Sequence, residues 1–241
     1  MFALACGLLG FVAGGVASVA GFGIGSLMTP LFAARFGVKL AVALVSIPHF
    51  SATVLRAWRL RRHVDRHVLL NFGITSAAAG LLGALLHGYL QGRALGIVFG
   101  CLLLLAGISG ITGLATRVRL GRRAAWIAGF VSGAFGGLVG NQGGIRSAAL
   151  LGADVPKESF VATATVIGVI VDLARVPVYV ATEGQAIVRA WPLVAAATAG
   201  ALVGTIAGER ILRRVPERIF RFTVSILVLA LGLAFVSGVA R

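Results

Sequence analysis

The chain has 241 residues, 59% of them hydrophobic and only 12% charged, with a mean hydropathy of +1.00. One soluble core cannot hide that much apolar surface, so a soluble domain is excluded and an all-α, polytopic integral membrane protein is expected. The formal charge of +15 does not point to nucleic acid, because the arginines occupy short loops between apolar runs, without aromatic interleaving or a basic tail.

The N-terminus opens Met1-Phe2-Ala3 with no basic flank and no cleavage-type boundary, which argues against a signal peptide and against a cytoplasmic N-terminus. Apolar segments follow at about 3–34, 40–55, 68–90, 94–116, 124–152, 159–180, 190–208 and 219–240, judged by the roughly 20 residues a helix needs to cross. The first reads GFVAGGVASVAGFGIGSLMTPL from Gly10 to Leu31, and the fifth reads GFVSGAFGGLVGNQGGIRSAAL from Gly129 to Leu150. A shift of 119 positions superposes Gly10, Phe11, Val12, Gly14, Gly21, Gly25 and Leu31 on Gly129, Phe130, Val131, Gly133, Gly140, Gly144 and Leu150. The two stretches therefore read as an internal duplication. Each glycine costs a helix roughly 1 kcal/mol relative to alanine, so both stretches are expected to break at their glycine clusters. Backbone freed by such a break survives in a bilayer only against protein or a wet cavity.

Charge fixes the expected topology. Arg56, Arg59, Arg61, Arg62 and Arg66 crowd one loop, Arg117, Arg119, Arg122 and Arg123 a second, and Arg210, Arg213, Arg214, Arg218 and Arg221 a third. The positive-inside rule makes all three cytoplasmic, with Lys157 beside them. Three apolar segments separate the second loop from the third, and three full crossings would end on the wrong side. Segment 124–152 must therefore return to the side it entered, as two half-helices of roughly 14 residues. If segment 3–34 behaves alike, residues 1–120 and 121–241 form two inverted repeats within one membrane domain. Each is a broken hairpin plus three spans, with both termini outside and Arg35, Lys39, Arg93, Arg189 and Arg241 as the sparse external positives.

Several polar residues fall inside these apolar segments. The return half-helices begin near Gly23, Gly25 and Ser26, and near Gly143, Gly144 and Arg146; their N-terminal N–H groups and positive dipole ends suit an anion. Arg146 reads as an anion clamp or as a structural tie. Asn141 and Gln142 stand inside the second glycine cluster, and with Ser26, Ser46, Thr163 and Thr165 they offer hydrogen bonds to an oxyanion, or to neighbouring helices. Asp172 and Arg175 lie three apart on one helix face, either as a staple or with Asp172 carrying a coupling proton; snorkelling at a membrane edge is the alternative for Arg175, whose repeat partner is Arg56. His49 is the deepest histidine and suits anion recognition or proton coupling, the alternative being a neutral imidazole bonded to a neighbouring carbonyl. His63 and His67 are expected in solvent and His87 at the external interface. Cys6 and Cys101 sit in apolar runs, so no disulfide, metal site or cofactor is indicated. No nucleophile–base pair, Walker loop or dinucleotide loop is present, which argues against an enzyme.

The duplicated G-x-x-x-G…G-x-G/G-G hairpin motif, Pro30 closing its first copy, and Val155-Pro156-Lys157 followed by Phe160-Val161-Ala162-Thr163 resemble the TauE/SafE family of sulfite-exporter-type permeases along essentially the whole chain. Asn141-Gln142 departs from the plainer glycine run usual there. The resemblance implies a bacterial cytoplasmic-membrane protein that moves a small sulfur-containing or carboxylated anion such as sulfite or sulfoacetate, by alternating access about the two hairpins. An uncoupled anion channel is the competing expectation. The expected partners are the anion, the lipid bilayer and a coupling proton, and a homo-oligomer is compatible with the sequence.

Overall fold

The computed structural model describes residues 1–21, 23–113, 122–141, 143, 146, 150, 157–212 and 217–237, and no strand occurs among them. The helices are α1 (Phe2–Ala20), α2 (Ile24–Leu60), α3 (Arg66–Tyr89, with a π-helical stretch at Leu69–Gly73), α4 (Gly92–Thr112), α5 (Arg122–Val139), α6 (Lys157–Arg189), α7 (Trp191–Leu212) and α8 (Glu217–Val236). Five of them are long and apolar enough to cross a bilayer, and α1 and α5 add shorter apolar helices. The all-α polytopic membrane protein expected from composition is the architecture found.

Both expected breaks are present. α1 ends at Gly21 (φ 77°) and α5 at Gly140 (φ 72°), each donating its N–H four residues back, to the carbonyls of Ala17 and Gly136 at 3.0 Å. A left-handed residue at this position is the usual glycine stop of a helix. The first limbs are longer than the expected half-helices, at 19 residues for α1 and 18 for α5. Their internal glycines do not break them, because those glycines are used for packing. Two boundaries also differ from expectation. The first return limb and the following span run together as the 37-residue α2, divided only by a kink at Gly37, and α6 continues to Arg189.

Packing crosses between the two halves of the chain. α1 lies against α7, α5 against α3, α4 against α8, and α2 against α6. Glycines make three of these contacts close: Gly10 and Gly14 face the Ala197 and Ala201 backbone, Gly133 faces Ser76 and Gly137 faces Gly80, and Gly100 faces Gly232. In lipid, where apolar burial gains little, such small-residue contact surfaces are what let backbones approach and dispersion hold helices together. Large side chains point the other way. Leu4, Leu8 and Val12 on α1, Leu81, Leu82, Leu85 and Leu86 on α3, and Leu105 and Ile108 on α4 are exposed, as a lipid-facing surface requires.

Gly133→Val is therefore expected to cost more than the roughly 1–3 kcal/mol of ordinary overpacking, because its Cβ would fall on the Ser76 backbone. Monodisperse protein recovered in mild detergent should drop sharply. Gly88→Ala, with nothing within 4 Å of the added Cβ, should leave the yield unchanged. Wild-type yield of Gly133→Val would refute the close α3–α5 contact.

Candidate functional site

The two breaks meet. A Cβ on Gly25, in the first turn of α2, would come 2.5 Å from the Gly140 carbonyl oxygen, so only glycine lets the start of α2 touch the break that ends α5. Ser26 spans the same junction, its hydroxyl donating to Asn141 Oδ1 at 3.2 Å. Gly23, Gly25, Ser26, His49, Gly140, Asn141, Gly143 and Arg146 line a single pocket there, with about 240 Å³ of empty space counted out to solvent.

The charges around the pocket are unevenly paired. Arg146 is 2% exposed, yet its Nε and Nη1 have no hydrogen-bond partner among the described residues, and neither does Asn141 Nδ2. Its guanidinium rests on Gly168, where a Cβ would stand 3.1 Å from Nη1. His49 lies midway along the part of α2 beyond the kink, and Asp172 midway along α6. His49 Nδ1 lies 2.6 Å from Asp172 Oδ2, and Arg175 Nε donates to Asp172 Oδ1 at 2.8 Å. Asp172 thus accepts from two partners and leaves Arg146 without an acid of its own among the described residues.

Behind the pocket, the repeat offset reappears in the hydrogen bonds. Arg175 Nη1 donates to Gly136 O at 2.8 Å, and Arg56 Nη1 to Ala17 O at 2.6 Å; both the arginines and the carbonyls are 119 residues apart. Each arginine therefore caps the last turn of a first limb, on the carbonyl that also receives the glycine N–H. Arg56 Nε also donates to Thr165 Oγ1 at 2.9 Å. The partners then diverge: Asp172 corresponds by offset to Thr53, and His49 to Gly168. Tyr179 OH donates to the Gly137 carbonyl, supporting the same turn.

A family model described as sulfite exporter TauE/SafE matches residues 6–235. The chain belongs to the TauE/SafE family. Searches of curated proteins and of solved structures found no match. TauE/SafE proteins are transporters rather than enzymes, so this one is a membrane anion transporter and its partners are an anion and the bilayer. No group of three or more potential metal ligands occurs among the described residues.

Of the residues singled out from sequence, this TauE/SafE chain brings Gly23, Gly25, Ser26, His49, Asn141, Gly143 and Arg146 to the pocket. Arg175 and Asp172 stand immediately behind it. Thr163 does not line it; its hydroxyl accepts the Asp65 backbone N–H at 2.9 Å, tying α6 to the loop before α3. Ser46 donates within its own helix, to Ala43 O, and Gln142 and Gly144 lie outside the described residues. Two readings are corrected. His87 is fully buried rather than interfacial, with Nδ1 2.7 Å from Leu138 O and Nε2 3.1 Å from Lys39 O. Arg56 is 4% exposed and bonded inward, not part of the solvated basic loop. The signal for Arg56 was available: it lies 119 residues before Arg175, an arginine flanked by apolar residues.

Proposed function

We propose that the protein is a secondary transporter for a small sulfur-containing or carboxylated oxyanion, of the size and charge of sulfite or sulfoacetate. The observation that carries this reading is Arg146, a buried guanidinium whose Nε and Nη1 have no partner among the described residues, in a small pocket where the glycine breaks after α1 and α5 meet. An unpaired charge buried in this way costs several kcal/mol unless something neutralises it. An oxyanion does so, and a guanidinium offers it a fork of two parallel N–H groups. Gly23, Gly25, Ser26 and Asn141 add backbone and side-chain dipoles at the start of the return limb.

The duplicated sequence, the crossed packing and the matched Arg56 and Arg175 caps support two inverted halves that rock about the pocket, with α2 and α6 as the central pair. In this reading the three basic loops face the cytoplasm and both termini the outside. The test is flux in proteoliposomes against sulfite, sulfoacetate, thiosulfate, simple carboxylates and the zwitterion taurine. Saturable uptake of an anion, driven by an imposed gradient and not competed by taurine, is expected. Ungated current without saturation would favour a channel, and transport of taurine alone would refute the anion site.

A further inference from the structure

Asp172 assigns the protons on His49. A carboxylate that accepts from Arg175 Nε on one oxygen has only acceptor capacity on the other, so His49 Nδ1, at 2.6 Å, must be the donor. In the neutral ring this leaves Nε2 as a bare lone pair. His49 is 12% exposed, lines the pocket, and makes no hydrogen bond through Nε2 to any described residue. The charged groups within electrostatic reach of the ring are Asp172 and Arg175 from α6 and Arg146, with Ser26 and Asn141 on the pocket wall. The pocket thus presents N–H donors from Arg146 and one acceptor from His49. A fully deprotonated oxyanion has only acceptors and satisfies the arginine but meets the histidine lone pair with a lone pair.

We propose that the site selects an oxyanion carrying one acidic proton, which donates to His49 Nε2 while Arg146 holds the deprotonated oxygens. The specificity rests with His49, and Asp172 with Arg175 acts as its positioning pair. The inference deepens the anion-transport reading and rests on it. Two descriptions are equivalent: a monoanion bearing O–H against neutral imidazole, or a dianion against imidazolium with the same proton on Nε2. Either complex holds one proton more than the dianion and the neutral site held separately, so binding of a diprotic oxyanion that titrates near neutrality carries a proton with it. Release on the other side of the membrane frees both. That makes the substrate itself the coupling element, and Asp172 remains ionised throughout.

The test is calorimetric titration of the purified full-length protein with sulfite, which has such a proton, and with methanesulfonate, which has none. Repeating it in two buffers of different ionisation enthalpy counts the protons. At a pH where sulfite is mostly dianionic, about one proton should be taken up per anion bound, and apparent affinity should fall about tenfold per pH unit as pH rises further. Methanesulfonate should show no uptake. His49→Leu removes the acceptor from the pocket, so a fully deprotonated anion no longer meets a lone pair and proton uptake should fall from near one to near zero, with melting temperature checked on the same sample. Sulfite bound by wild type without uptake, or uptake unchanged in folded His49→Leu, would overturn the inference while leaving the anion site standing. Binding of neither anion by wild type would overturn both.

Discussion

Arg146→Ala is expected to abolish saturable anion binding without lowering the melting temperature of the anion-free protein. The two effects separate because of how the side chain is held. Its Nε and Nη1 have no partner among the described residues although the side chain is only 2% exposed, so without an anion the guanidinium costs desolvation and gains little in return. Removing it relieves that cost, at the expense of a cavity against Gly168. Arg146→Lys is the graded version. Lysine supplies a point charge in place of a planar fork, and the loss of one charge-assisted hydrogen bond of roughly 1.5–3 kcal/mol predicts affinity about tenfold to a hundredfold weaker. Affinity by titration and melting temperature should be read on the same preparations. Unchanged affinity with reduced stability would assign Arg146 to holding the hairpin instead.

Asp172→Asn should act in the opposite sense, mainly on stability. Asp172 is fully buried and bonded to both His49 and Arg175, and Arg56 and Arg146 lie within electrostatic reach. Neutralising it leaves Arg175 as an uncompensated buried charge, a change that typically costs about 3–5 kcal/mol. Arg175 also caps the α5 break through Gly136, so the hairpin should loosen with it. The double variant Asp172→Asn/Arg175→Gln removes both charges. It should melt well above the sum of the two single losses, because residues in one network are coupled. Additive losses, or a wild-type melting temperature for Asp172→Asn, would show that the ion pair is not what holds this turn.

The protonation inference and these two variants probe different atoms of one network. Asp172→Asn disturbs the ring's orientation as well as the fold, whereas His49→Leu leaves the Asp172–Arg175 bond in place. Comparing the two separates an effect on the proton from an effect on the scaffold.

Much of this protein is determined by local chemistry and so by sequence alone. The bilayer as solvent follows from composition, since 59% hydrophobic residues in long runs leave no other way to bury them. Gly21 and Gly140 mark the breaks because a residue at positive φ with no Cβ is a property of one position and its neighbours. The family followed from motifs that surround those same breaks. The pocket residues nearest the breaks were legible for the same reason: Gly23, Gly25, Ser26, Asn141, Gly143 and Arg146 all lie within a few residues of them.

What the tertiary structure decided is which polar groups meet. His49 and Asp172 are 123 residues apart, and nothing in the periodicity of either helix says that one finds the other. Sequence left Asp172 as either a staple or a proton carrier; its two oxygens in fact serve Arg175 and His49 at once. Arg56 sat in a run of arginines and read as part of a cytoplasmic loop, yet the crossed packing of α1, α2 and α6 carries it inward to Ala17 and Thr165. His87, near the end of its helix, is enclosed because α5 and α2 close over it. The physical reason is common to all three. In a membrane the apolar pattern shows which faces meet lipid, but helices approach through glycine and alanine surfaces that carry little directional signal, so partner choice among buried charges is settled only when whole helices dock.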